Sequence, residues 1–238
     1  MNIYEVKAMG ARIAGNPYVG RGIAIGRSAD GAKAVFAYFI MGRSVNSRNR
    51  VFIKTADGIR TEAFDPAKLA DPSLIIYSPV RRCGNRIVVT NGDQTDTVCD
   101  YLAQGSDMEA ALETRTFEPD GPNFTPRISG ELQLGETYRY KMSILKSMDE
   151  VGTDCTRQYF RYTALPGLGH FIHTYVTDGN PIPTFQGEPE RVSIPNDIDA
   201  FTADIWDNLN EDNKISLYVS YTDLNTGAEE TRLINKNQ

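Results

Sequence analysis

Apolar and polar positions alternate with period two through much of the first ninety residues, the pattern of half-buried β-strands. Residues 18–27 read as a strand, Ser28-Ala-Asp-Gly31 as a hairpin turn, and 34–41 as the returning strand. Further strands are expected at 51–55, 59–63, 74–80 and 86–90, with Asp57-Gly58 as another tight turn. The period then changes. Asn91-Gly-Asp93 is suited to end a strand and cap a helix reaching about residue 104, with Val98, Tyr101 and Leu102 on one face. Gly105 closes it, and Ser106-Asp107 caps a second helix over 108–115. After a proline-rich loop at 119–126, strands resume at 127–132, 138–145, 158–162 and 171–176. A third helix is expected over 197–209, because Ile198, Phe201, Ile205 and Leu209 recur at three- and four-residue spacing. Two closing strands, 214–221 and 229–234, flank the turn at Asn225-Thr-Gly227. Many strands with three helices, grouped rather than alternating, predict an α+β fold of layers and not a doubly wound parallel sheet. No linker is long enough to separate two units, so one domain over 1–238 is expected.

Composition narrows this picture without redirecting it. Aromatic residues at 10% and charged residues at 24% of 238 positions describe a globular chain. No apolar run approaches the roughly 18 residues of a spanning helix, and the first residues lack the apolar core of a signal peptide. A soluble cytoplasmic protein without a membrane partner is the expectation. Cys83, Cys99 and Cys155 are odd in number and contain no Cys-x-x-Cys pair, which argues against a disulfide framework and a zinc knuckle. Cys99, on the apolar face of the first helix, reads as core packing.

Charge is divided along the chain. Residues 11–90 carry 13 Lys and Arg against five Asp and Glu, and residues 91–238 carry 11 against 25. Most of the basic part is arginine (21, 27, 43, 48, 50, 81, 82 and 86), beside glycine turns and aromatic residues. Guanidinium groups grip phosphate or carboxylate in two places, so local arginines in an acidic protein point to a small bound anion and not to nucleic acid. The plainer alternative is that basic and acidic layers pair across the fold.

Two familiar motifs fail on inspection. Gly20, Gly22 and Gly26 have Gly-x-Gly-x-x-x-Gly spacing with no helix following, so a dinucleotide would meet no helix N-terminus. His170 and His173 lie three apart in a strand, on opposite faces, and cannot readily share an ion. Three segments do hold suitable chemistry. Gly42 to Arg50 combines three arginines with hydroxyl and amide neighbours. Val88 to Asp96 runs from a strand into a helix start, where backbone N–H groups converge. Phe117 to Ile128 is a proline-bounded loop able to hold Glu118 still.

Taken together, the run Asn16 to Arg27, Ala37-Tyr38, Gly42-Arg-Ser44, Asn49-Arg50, Asp71-Pro72 through Tyr77, Asn91 to Thr97 and Thr125-Pro-Arg-Ile128 resembles the archaeal-type IMP cyclohydrolases, in the same order and over about half the chain. Residues 1–15 are an N-terminal extension relative to that pattern, the 43–50 loop is longer, and nothing distinctive follows Gly135. The resemblance implies a four-layer α-β-β-α sandwich of mainly antiparallel sheets, similar to N-terminal-nucleophile hydrolases. It also implies dehydrative ring closure of formamidoimidazole-carboxamide ribonucleotide to inosine monophosphate in purine biosynthesis. With Met1-Asn2 at its start, this chain is expected to work by non-covalent acid–base chemistry. By position, Arg50, Tyr77 and Glu118 match the family residues implicated in catalysis. Arg21, Arg43, Asn91, Thr95 and Arg127 are the candidates for substrate and phosphate contacts, with strand-end ion pairing as their alternative.

No cofactor and no metal is expected. The expected partner is a purine-pathway nucleotide, without nucleic acid, and a homo-oligomer is allowed. Two competing functions fit the same residues: a non-catalytic or re-purposed purine-nucleotide-binding relative, and an amidohydrolase with a processed N-terminal nucleophile.

Overall fold

A computed structural model describes residues 2, 4–69, 72, 75–135 and 137–237. Two antiparallel sheets dominate them. The first is built from β1 (Arg21–Arg27), β2 (Lys33–Met41), β10 (Leu168–His173), β11 (Glu190–Ser193), β12 (Lys214–Asp223) and β13 (Glu229–Asn235). Its order is β11-β10-β1-β2-β12-β13. The second runs β3-β4-β5-β6-β7-β8-β9. Its members are β3 (Val51–Lys54), β4 (Gly58–Glu62), β5 (Val80–Cys83), β6 (Arg86–Thr90), β7 (Arg127–Gln133), β8 (Arg139–Ser147) and β9 (Cys155–Thr163). The fold class is α+β, as the grouped pattern predicts.

Period-two alternation gives each central strand two apolar faces, and both are used. Ile23, Ile25, Phe36, Tyr38 and Ile40 from the first sheet meet Ile87, Val89, Ile128, Leu132, Met142 and Ile144 from the second in the inter-sheet core. The outer face of the first sheet (Ala24, Val35, Phe39, Val219) packs on α1 (Met9–Ile13) and α5 (Ile198–Asn208). Helix α5 is amphipathic as read and is capped by Asp197, whose carboxylate accepts from the Asp199 and Ala200 amides. On the outer face of the second sheet, Val88 and Leu145 pack on α3 (Gln94–Ala103) and α4 (Met108–Glu113). No helix among the described residues is long and apolar enough to cross a membrane.

Two expectations are corrected. The strand expected over 74–80 begins at Val80; Leu74 lies outside the described residues, and 75–79 is irregular. Pro79 lacks a ladder donor, and the segment is held instead by Thr61, whose Oγ1 donates to Ile75 O at 2.6 Å and accepts from Tyr77 N at 2.9 Å. Cys83 and Cys99 are not separate thiols: a disulfide joins β5 to α3. Cys99 does pack in the core with Val98, Met108 and Leu112, and its sulfur is also bonded to that of Cys83, which a count of cysteines does not reveal. Within the extension before residue 16, α1 packs on α5, and Gly10 leaves no room for a Cβ beside Asp204.

The readings of β1 and of the histidine pair agree with the coordinates. Strand β1 enters a hairpin and no helix, and a Cβ at Gly22 would lie 2.2 Å from Phe39 Cζ, so that glycine serves close packing. His170 faces the inter-sheet side, where Nδ1 is 2.7 Å from Tyr140 Oη and the ring stacks on Tyr162 at 3.7 Å. His173 faces the other way, beside Phe171. No group of three or more His, Cys, Asp or Glu side chains suited to a metal occurs among the described residues.

Candidate active site

A hollow of about 310 Å3 opens at the end of the sandwich where β1 begins and β2 runs into α2 (Val45–Arg48). That volume suits a ligand of small-molecule size. Its wall combines Tyr18, Arg21, Arg43 and Ser47 with Glu118, Asp120, Thr125 and Tyr175. Four segments distant in sequence therefore converge: the start of β1, the 43–50 loop, the 117–126 loop and the end of β10.

The charged groups are positioned by the strands that carry them. Arg21 opens β1 and is 9% exposed, and its Nε has no hydrogen-bond partner. Arg50, at the entry to β3, is wholly buried; its Nε donates to Ser47 O at 2.8 Å while Nη1 and Nη2 are unpartnered. Unpaired buried guanidinium nitrogens are costly in a folded chain, and they are the pattern expected where a ligand supplies the acceptor. Tyr77 stands beside them, its Oη 2.9 Å from Tyr38 Oη.

Glu118 is 3% exposed. Burial raises its pKa above the ordinary glutamate value, and Asp120 adds to the rise, although Arg21, Arg127 and Arg50 pull the other way. Arg50 is lowered by burial and by the neighbouring Arg21 charge. For Arg21, burial also lowers the pKa, but Glu118 and Tyr18, Tyr77 and Tyr175 together outweigh it and the net shift is upward. Arg21, Arg50, Tyr77 and Glu118 thus act on one another electrostatically within one buried cluster.

Arg43 lies at the exposed rim, over the Tyr18 ring at 5.3 Å and bonded to Asp178 and to Gly179 O. Arg127 is 7% exposed, donates to Gln94 Oε1 at 2.7 Å and pairs with Asp93. Of the residues singled out in the sequence, Arg21, Arg43 and Glu118 line the hollow, whereas Arg50, Tyr77, Arg127, Asn91 and Thr95 are not among its lining residues. Asn91 Nδ2 donates to Pro126 O and its Oδ1 accepts from Ile128 N, while Thr95 Oγ1 meets Thr90 Oγ1 at 2.7 Å. Both brace the β6–α3 corner. Asp93, expected as a cap, makes no side-chain cap bond and turns its carboxylate to Arg115 and Arg127. Of the remaining arginines, Arg81, Arg82 and Arg86 form ion pairs with Asp57, Glu229 and Glu131 respectively. The charge division therefore serves both purposes, pairing across the fold and lining the hollow.

Sequence reading missed Asp120, Thr125 and the Tyr18–Tyr175 pair, whose rings stack at 5.7 Å. Thr125 N donates to Asp120 Oδ1 at 2.6 Å, and Thr125 Oγ1 lies 2.5 Å from Asp120 Oδ2 and 2.6 Å from Tyr175 Oη. Asp120 and Thr125 belong to the proline-bounded loop already singled out, where the sequence points to Glu118 and Arg127 as its functional side chains. Tyr175 sat in an apolar strand pattern indistinguishable from core.

Fold and site together define an α+β two-sheet protein with an arginine-lined, carboxylate-bearing hollow. The model of a family described as IMP cyclohydrolase-like protein matches residues 18–227. The chain belongs to that family. The IMP cyclohydrolase of Methanopyrus kandleri is 34% identical over 125 residues, 51% of this chain and 61% of that protein. The IMP cyclohydrolase of Methanosphaera stadtmanae is 32% identical over 126 residues, and that of Methanococcus aeolicus 28% over 125. The match spans about three fifths of the length of these curated relatives.

Proposed function

We propose that this chain, as one domain with an Ntn-hydrolase-like four-layer sandwich, is an IMP cyclohydrolase closing formamidoimidazole-carboxamide ribonucleotide to inosine monophosphate. The observation that carries the reading is the buried cluster of Arg21, Arg50, Tyr77 and Glu118 beside a hollow of ligand size. In the reaction the carboxamide nitrogen attacks the formyl carbon of the same molecule, forming a C–N bond. The nitrogen loses one proton as the formyl oxygen gains one; the resulting hydroxyl then leaves as water with the proton of the formamido nitrogen, where the new C=N bond forms, and the carboxamide nitrogen keeps its second proton. The site must align two arms, move two protons and stabilise charge on one oxygen.

Glu118 takes the nitrogen protons, and its raised pKa makes it a stronger base than an ordinary carboxylate. The Tyr77 hydroxyl donates to the formyl oxygen, with Tyr38 oriented toward it. Arg50 stabilises the charge that develops there. Arg43 at the rim supplies positive potential for the phosphate, and Arg21 and Arg127 contact the substrate near Glu118; Asn91 and Thr95 contribute by holding the corner that carries Arg127 and Gln94. No covalent intermediate is required.

The test is incubation of purified protein with the formylated ribonucleotide while inosine monophosphate is followed by absorbance. Turnover that depends on protein concentration is expected, and Arg50→Ala should lower kcat by at least about a hundredfold. Equal rates with and without protein would overturn the enzyme assignment; tight nucleotide binding without turnover would mark a re-purposed binding relative.

A further inference from the structure

The hollow is graded from rim to floor. Arg43 is at the exposed rim, Asp120 is half-buried, and Glu118 is almost fully buried beside Arg21. A nucleotide has the same graded chemistry: a dianion at one end, a hydroxyl-bearing sugar in the middle and a planar base at the other. The middle level has a defined hydrogen-bond polarity. An ionised carboxylate only accepts, so the Thr125 hydroxyl, at 2.5 Å from Asp120 Oδ2, must donate its single proton to it. Tyr175 Oη, 2.6 Å from Thr125 Oγ1, must then donate to threonine. This relay commits every hydroxyl proton inward along Tyr175, Thr125 and Asp120. What remains toward the hollow, which all three line, is a set of lone pairs. On the rim loop opposite, Arg43 and the Ser44 hydroxyl are the donors that line the hollow, the Ser47 hydroxyl proton being given to Ser44 O.

We propose that Asp120, oriented by Thr125 and Tyr175, is a specificity-determining acceptor for the vicinal hydroxyls of a ribose, so that the site selects ribonucleotides over deoxyribonucleotides. The proposal rests on the nucleotide reading above and deepens it. A sugar diol brings two donors to an acceptor-only surface; loss of one hydroxyl leaves a lone pair of Asp120 without its donor in a partly desolvated wall. Glu118 is not the sugar acceptor, because it lies deeper and among Arg21, Arg50 and Arg127, where the chemistry belongs.

The experiment is calorimetric titration of the full chain with inosine monophosphate and with 2′-deoxyinosine monophosphate. For wild type the ribonucleotide should bind about 10–100-fold more tightly, the effect of a hydroxyl bonded to a charged acceptor. Asp120→Asn keeps the Oδ1 acceptor for the Thr125 amide but replaces the other oxygen with a donor, reversing the relay. Its ribo/deoxy ratio should fall to within about threefold of unity, with inosine monophosphate itself weakened. Thr125→Val, which removes the bridging hydroxyl without changing shape, should reduce the ratio in the same direction and serves if the first variant does not fold. Equal wild-type affinity for the two nucleotides, or an unchanged ratio in both variants, overturns the proposal while leaving the cyclohydrolase reading intact. Absence of binding by either nucleotide overturns both. Ribo-selective binding without turnover upholds the sugar site and removes only the catalytic assignment.

Discussion

Replacing Glu118 by glutamine separates its catalytic role from its effect on stability, because the two respond with opposite sign. Glutamine matches glutamate in shape but can neither take a proton nor bear charge. Positioned proton transfer contributes about 10²–10⁴ in rate, and each tenfold is about 1.36 kcal/mol of barrier. The variant should therefore lose at least about a hundredfold in kcat, roughly 2.7 kcal/mol, with kcat/KM falling in parallel. Stability should move the other way. Burial raises the Glu118 pKa despite three nearby guanidinium groups, so the folded state holds the carboxylate less readily than the unfolded chain does. A carboxyl group whose folded pKa is raised gives its full contribution below the ordinary glutamate value of about 4.3 and loses it as pH rises through the folded value. Glu118→Gln should then be no less stable than wild type near neutrality. Its advantage should grow with pH across that window and vanish below about pH 4. The assays are steady-state turnover of the formylated ribonucleotide and thermal melting from about pH 4 to 8, where roughly 2–4 °C corresponds to 1 kcal/mol for a chain of this size. A variant retaining activity within about threefold of wild type refutes the proton-transfer role. A stability difference that does not vary with pH refutes the ionisation argument.

Three further outcomes follow from other parts of the fold. The Cys83–Cys99 disulfide closes a loop of sequence separation 16, for which the chain-entropy estimate is about 3 kcal/mol. Reductant or Cys99→Ser should lower Tm by roughly 6–12 °C, and an unchanged melt would show that the bond is not formed. Gly152 has φ +75°, and a Cβ there would lie 2.7 Å from the ring of Phe124, itself in the loop between Glu118 and Thr125. Gly152→Ala should cost about 1–2 kcal/mol and slow turnover by shifting that loop, whereas wild-type Tm and kcat would refute the coupling. The His170 pKa falls to about 4, through burial first and Arg191 second, with Glu188 opposing. A histidine so lowered contributes stability above its ordinary value of about 6.5 and loses it as pH falls toward 4. Chemical denaturation should show that loss in wild type and a flatter profile in His170→Gln; identical profiles would refute it.

Local physics explains how much was legible in the chain. Central strands with apolar residues on both faces, glycine turns at Gly31 and Gly105, and the Asp107 and Asp197 caps all act within a few residues. Those signals located most strands and three of the helices. Elements set by distant partners were not legible: the five-residue α1 exists because α5 packs on it, and β11 because β10 pairs with it. The 75–79 segment reads as a strand because it holds apolar residues, yet Ile75 O and Tyr77 N bond to the Thr61 side chain in place of a strand ladder.

The same division holds for the site. Residue types along the chain mark Arg21, Arg43, Arg50, Glu118 and Arg127, which lie in arginine-bearing or proline-bounded segments, whereas Tyr77 and the catalytic roles come only from the resemblance to a known family. Tertiary structure decided which of them share an environment. It gathered Arg21, Arg50, Tyr77 and Glu118, kept Arg43 at the rim, and set Asn91 and Thr95 in the corner behind Arg127. It also recruited Asp120 and Tyr175, which lie 55 positions apart and meet through a single threonine hydroxyl. Side-chain chemistry is written in one dimension, but desolvation, charge coupling and hydrogen-bond polarity depend on distances that only the packed sheets create.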